Sequence, residues 1–276
     1  MSAVTPTVRL PRLDVTGRLA FHRVLLSEWT KLRSVRSTKW SLFAGFVLTI
    51  AFPVIFSFVT RSHWGSMSPS DRAGRHPLDI ALAGVNVAQL AIAVLGVLLI
   101  TAEYSTGSIR STFTAVPKRL PVLWAKLLDY AVVALVLMVP AVLASFFASQ
   151  AILHNIPQLQ ISFTQPGVAR SVLGGALYVM LVGIFALAIG AIVRNTAGGI
   201  ATFAGIFFVL PPLMFTLPTS WNNAISQYLP SNAGRQIFAL HHSAHTLTPL
   251  TGGLIFVAYC AAAILIAAVL LIRRDV

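Results

Sequence analysis

Charge is spread along this chain in a way that leaves few folds open. Six long intervals contain no Asp, Glu, Lys or Arg: residues 40–60, 80–102, 130–169, 171–193, 195–234 and 236–272. Each holds the roughly 20 apolar residues that a helix needs to cross the hydrocarbon core of a bilayer. The longer intervals also have room for a polar loop. Backbone N–H and C=O groups must be satisfied inside the bilayer, and strand-type alternation is absent, so helices are expected. The spans are placed at about 40–60, 80–102, 123–149, 170–193, 197–217 and 250–272. The expected fold is an all-α membrane protein with six transmembrane helices in one domain over 40–276. A flexible tail (1–17) and an amphipathic interfacial helix (18–39) precede it.

Composition agrees with this reading and excludes others. Of the 276 residues, 57% are hydrophobic and 10% charged, against roughly 25% charged in ordinary soluble domains. A water-soluble enzyme, a disordered chain and a secreted disulfide scaffold are all ruled out. The one cysteine, Cys260, excludes an intrachain disulfide and a multi-cysteine metal site. The chain carries 20 Lys+Arg against 7 Asp+Glu, a formal charge of +13. Fifteen of the basic residues fall before span one, between spans two and three, between four and five, and after six; five fall in the alternate segments. That bias places both termini in the cytoplasm and accounts for the basic excess without nucleic acid. The first apolar run starts about 40 residues in and lacks an A-x-A site, so a cleaved signal peptide is not expected.

No phosphate-binding GxxxxGK[ST], no HExxH and no GxSxG occurs. The histidines are expected outside the spans, and the polar residues within them are mainly Asn86, Gln89, Asp129, Ser and Thr. This argues against an intramembrane enzyme. Asp129 is expected to lie near the interface, snorkelling or pairing with Lys126, three residues back, a proton relay being the alternative. So few ionisable groups in the spans do not suit an ion-coupled transporter. Pro53, Pro140 and the pair Pro211-Pro212 are expected to kink spans one, three and five. Ala186/Gly190 and Ala197/Ala201/Gly205 form small-residue stripes that predict tight packing of spans four and five.

Two cytoplasmic segments have helical periodicity. In 18–36, Phe21, Leu25, Trp29 and Leu32 share one face, as in a helix lying among lipid headgroups with Trp29 as an anchor. Glu28 falls within that apolar arc and needs a partner; Lys31 is the nearest local choice. In 103–121, Ile109, Phe113 and Val116 form an apolar face. Gly107 permits a turn before it, Ser105, Thr106 or Ser108 would cap it, and Pro117 would end it. A short amphipathic helix after span two would either close the hairpin or dock in a partner's groove. On the other face, His241 and His245 of an HHSAH run have metal-binding spacing but no third ligand nearby, which favours solvated loop histidines including His242.

Four blocks in the chain resemble the permease subunits of type-two ABC exporters, in a short bacterial branch. They are SEWTKLRSVRSTKWSL at 27–42, AEYSTGSIRSTFTAVPKRLPVLWAKLL at 102–128, LPSNAG at 229–234 and the terminal RRD at 273–275. The resemblance implies a plasma-membrane transport subunit with no catalytic site and no cofactor of its own. ATP and Mg would sit on a separate ABC ATPase subunit, and a second permease chain would complete the pathway. It implies that Glu103, Tyr104, Gly107, Ile109, Arg110 and Phe113 form a coupling segment toward the ATPase. Phe21, Leu25, Glu28, Trp29, Lys31 and Leu32 would belong to the interfacial helix. The segment at about 218–249 would be a re-entrant gate, an ordinary outer loop being the alternative. Two other functions fit the sequence: a membrane-embedded enzyme acting on lipid or peptide, and a membrane anchor or sensor that recruits a cytoplasmic partner.

Overall fold

A computed structural model of the protein describes residues 21–116, 119–240 and 246–274. The tail (1–17), the first residues of the amphipathic segment, Pro117, Lys118, the three HHSAH histidines and the last residue of the RRD block lie outside them. Among the described residues all regular structure is helical. Six helices are long and apolar enough to span a membrane: Arg36–Ser66, Pro77–Ser105, Arg119–Ile152, Val168–Val193, Thr196–Thr216 and Pro249–Arg273. These are spans one to six of a multi-pass membrane protein. Shorter helices accompany them, among them a leading helix at Phe21–Ser34 and a hairpin helix at Ser108–Ala115.

The spans outrun the charge-free intervals because charged side chains at their ends can reach back to water. Span one starts at Arg36, directly after an extended Val35, so the segment 18–39 is not one helix. Its α-helix ends at His63, so one histidine does lie on a span, at its last turn.

Span four is the axis of the bundle: 78% of its most apolar window is buried, against 17% for span five. It is packed by spans two, three and six. Where spans two and four cross, a Cβ on Gly96 would come within 2.4 Å of the Gly183 carbonyl. Such backbone-to-backbone approach is how helices associate where lipid removes the hydrophobic drive. Ala186 and Gly190 continue this contact, Gly190 facing Val97 and Ile100. The stripe on span five behaves differently. Ala197 and Ala201 are exposed, and nothing lies within 4 Å of a Cβ at Gly205. Span five instead buries Gly199, Phe203 and Phe207, the two rings stacked at 4.4 Å. Aromatic bulk thus outweighs the small-residue stripe in choosing the packed face.

Spans one and three continue as α-helix through Pro53 and Pro140. Span five is interrupted: α-helix to Ala204, a π-helical turn over Gly205–Val209, α-helix over Leu210–Leu213, and a 3-10 turn to Thr216. Pro211 and Pro212 lack the N–H groups that would bond Phe207 and Phe208, four residues back. The ladder shifts, and the Leu210 N–H donates to Gly205, five residues back.

Beyond span five, short helices at Thr219–Ile225 and Pro230–Arg235 replace a simple loop. The second is buried through Ser231, Ala233 and Gly234. Gly234 abuts the rings of Tyr178 and Phe256. Those residues lie ten and seven positions into spans four and six, about 15 and 10 Å along them. The segment therefore folds back between the two spans rather than passing over their ends.

Candidate functional site

The densest polar cluster among the described residues lies at the end of the bundle where span two finishes and span three begins. Four charges from three elements meet there. Glu28 and Lys31 come from the leading helix, Glu103 from the last turn of span two and Lys126 from span three. Lys126 Nζ donates to Glu28 Oε2 at 2.5 Å and to Glu103 Oε1 at 2.7 Å. Lys31 Nζ donates to Glu28 Oε1 at 2.7 Å and to Glu103 Oε1 at 3.0 Å, closing a ring of alternating sign. It also donates to Thr112 of the hairpin helix at 3.2 Å.

The ring is largely shut off from solvent: Glu28 is 4% exposed and Lys126 2%. Each buried charge loses several kcal/mol of hydration, which only close pairing offsets. Here every carboxylate meets two ammonium groups and the four charges sum to zero. Partial burial works against the Lys31 ammonium. The Glu28 and Glu103 carboxylates more than offset that, so its pKa lies above the ordinary 10.5. A pKa raised by folding adds stability that is complete below the unfolded value and is lost as pH rises through the folded one. The thermal midpoint of the purified protein is therefore expected to fall as pH rises above about 10.5, and to fall less steeply in Lys31→Met. Equal slopes for the two proteins would contradict this.

The ring also decides which way the leading helix faces. Val24, Glu28 and Leu32, spaced i, i+4, i+8, are buried; Leu25 and Lys31 are half-buried; Phe21 and Trp29 are exposed. The expected stripe of Phe21, Leu25, Trp29 and Leu32 is thus split. Glu28 must reach its lysines, so the helix is rolled to bring the carboxylate inward, and Phe21 and Trp29 turn outward beside Leu26. Val24 packs with Val122 and Ala125 of span three, and Leu25, Phe113 and Val116 close over them.

The hairpin helix shows the same economy. Gly107, at φ +72°, makes the left-handed turn that admits the helix, a conformation available to glycine at little cost. None of Ser105, Thr106 and Ser108 caps it; Gly107 is itself the residue at the N-cap. Ile109 is buried, and Phe113 is half-buried with the Arg119 guanidinium 5.4 Å from its ring centre. The apolar face thus points into the protein. Gly107, Ser108, Arg110, Ser111 and Thr114 form the exposed side. Of the six nominated coupling residues, Gly107 and Arg110 are presented outward. Glu103 and Ile109 are buried anchors, and Tyr104 and Phe113 lie between.

Arginines bind the rest of this end together. Arg194 lies over the Tyr104 ring at 5.2 Å and donates to the Leu270 carbonyl of span six. Arg119 donates to the carbonyls of Leu271 and Arg274 at 2.9 and 2.8 Å. Arg274 reaches Ile192 O of span four at 3.4 Å. Helix C-termini leave carbonyls unsatisfied and carry partial negative charge, so they attract such cations.

A cleft of about 380 Å³ opens between the leading and hairpin helices, lined by Arg23, Ser27, Glu28, Lys31, Ser111 and Thr112 among others. Glu28 and Lys31 of the charge ring face it. Lys126 is the site residue that sequence reasoning missed. Its partner Glu28 lies 98 positions away. The available signal was parity, since a lysine inside an apolar run and a glutamate in an apolar arc each require an opposite charge. Lys126 is engaged by Glu28 and Glu103 rather than by Asp129, whose buried Oδ2 has no hydrogen-bond partner. Among the described residues no three His, Cys, Asp or Glu side chains group as metal ligands.

No protein-family model matches the sequence, and no curated protein is significantly similar to it.

Proposed function

We propose that this chain is the membrane-spanning permease subunit of an ABC exporter, driven by a separate ATP-hydrolysing subunit. In this reading the leading and hairpin helices and both termini lie on the cytoplasmic face of a bacterial plasma membrane. ATP and Mg are held by the partner ATPase, and a second permease chain completes the pathway. The folded-back segment at 219–238 would close the outer end. The observation that carries the reading is the joint at the inner end. Glu28 and Lys31 face a cleft between two short helices and belong to a charge ring that ties both helices to spans two and three. A push on the exposed side of the hairpin helix would pass through Thr112, Lys31 and Glu103 into the span walls without a soft link. The sequence blocks at 27–42 and 102–128 supply the family to which such a joint belongs.

The test is ATPase activity of the chain with the ABC ATPase that copurifies with it. Arg110 is exposed and, among the described residues, bonds no other element through its side chain, so Arg110→Glu is expected to leave the fold intact. It is expected to cut the chain's stimulation of hydrolysis roughly tenfold by placing like charge or a lost pair at the contact. The melting temperature should not move. This substitution is cleaner than replacing 109–113 with Gly and Ser, which would also remove the Ile109 and Phe113 anchors. If no ATPase copurifies, or hydrolysis ignores the chain, the reading fails.

A further inference from the structure

On the surface shared by spans three, four and six lies a groove of about 640 Å³, walled by Leu135, Val139, Leu173, Leu177, Leu254 and Val257. Among the described residues one charged side chain reaches it, Arg170, in the first turn of span four. Its guanidinium donates to Ile237 O at 3.0 Å, to Ala239 O at 2.7 Å and to Ser171 Oγ at 3.3 Å. All three partners are neutral. No ion pair among the described residues includes Arg170, and the residue is exposed. The site is a fixed cation at the helix ends with an oily channel running inward from it.

The dimensions select the occupant. Along span four the lining runs from Arg170 to Leu181, eleven residues, or about 16 Å. One leaflet contributes half of a hydrocarbon core about 30 Å thick. The groove is therefore one leaflet deep, whereas a packed helix from another chain would run the full height of the bundle. A recess on the lipid-facing surface does not stay empty in a bilayer, because surrounding acyl chains fill it. A guanidinium at headgroup level binds phosphate oxygens by charge-assisted hydrogen bonds. We propose that this groove holds one anionic phospholipid of the surrounding bilayer. Its acyl chain lies along Leu173 and Leu177, and its phosphate sits on Arg170. The bound lipid would belong to the leaflet at the end where span four begins. The proposal does not depend on the transport reading.

The experiment is native mass spectrometry of the full chain released from mixed micelles of equimolar phosphatidylglycerol and phosphatidylcholine. One retained lipid per chain is expected, with phosphatidylglycerol favoured roughly tenfold. Arg170→Gln should reduce that preference below about threefold, and Arg170→Lys, which keeps the charge but not the fork, should retain most of it. Arg170 also holds the turn at 236–239, so a second variant guards against misfolding. Leu177 is 42% exposed, and Leu177→Trp fills the groove, leaves the guanidinium in place and should abolish retention of either lipid. Equal retention of the two lipids by the unaltered chain, or an unchanged preference in a folded Arg170→Gln, would overturn the proposal. A disulfide between two copies carrying Leu254→Cys, with no lipid retained, would overturn it by making the groove a chain–chain contact.

Discussion

Lys126→Met is expected to destabilise the protein by about 3–5 kcal/mol, the range for removing one partner of a buried ion pair. The measurement is a denaturant or thermal unfolding curve in detergent. The loss is large because the substitution strips one ammonium from two carboxylates at once. Glu28 and Glu103 would face each other with Lys31 alone between them, and Glu28 has almost no route to water. The second half of the experiment gives the result its meaning. Adding Glu28→Gln to Lys126→Met removes one negative charge and leaves Lys31 paired with Glu103. The double variant should be more stable than Lys126→Met alone, a non-additivity diagnostic of direct coupling. If the two losses simply add, the ring is not an energetic unit. The leading helix should also detach in the single variant, since Glu28 is its deepest anchor. Limited proteolysis within 21–34 would report that.

The second large effect is expected at Gly183, where the bundle is tightest. Its Cα supports the ring of Tyr130, whose hydroxyl donates to Ile92 O at 3.0 Å. A Cβ added at Gly183 would lie 1.6 Å from that hydroxyl oxygen and 2.2 and 2.5 Å from two ring carbons. Gly183→Ala must therefore displace the ring, break the bond to Ile92 and open the crossing of spans two and four. Overpacking of this kind costs about 1–3 kcal/mol, and the lost buried hydrogen bond adds about 1 kcal/mol. Tyr130→Phe alone should cost only the latter. It should not rescue Gly183→Ala, because the ring carbons themselves obstruct the new methyl group. Full rescue by Tyr130→Phe would mean that the hydroxyl, not the ring, sets the fit.

The spans were legible because the signal is long and one-dimensional. Twenty apolar residues without a charge need no knowledge of the partner, so six helices appear where six were expected. The turn at Gly107 and the helix after it were legible for a similar local reason. What could not be read was orientation within the assembly. The rule that apolar residues point to lipid placed the arc carrying Glu28 among headgroups; Lys31 is its partner as expected, but its second partner, Lys126, lies on span three and draws the carboxylate inward. The face of Ile109 and Phe113 could be read as closing the hairpin or as docking in a groove, and its periodicity could not choose between them; Phe113 packs against Val24 and Val122. Asp129 was given Lys126 by proximity along a helix, while a closer claim came from another element. The stripe Ala197/Ala201/Gly205 shows the converse limit: small residues permit close packing, and phenylalanines on the neighbouring face took it instead.

The unequal seating of the spans has a mechanical consequence. Span four is enclosed on several sides and meets span two through backbone contacts, so it can bend only by moving its neighbours as well. Span five is held along one edge by Gly199, Phe203 and Phe207 and carries its hydrogen-bond defect near mid-length, above Pro211 and Pro212. Stiffness in this molecule is therefore graded from a rigid centre to a compliant flank. A load applied at the charge-locked end would travel through spans two, three and four almost undiminished. It would be taken up as flexure in span five, where the backbone has already surrendered its regular bonds.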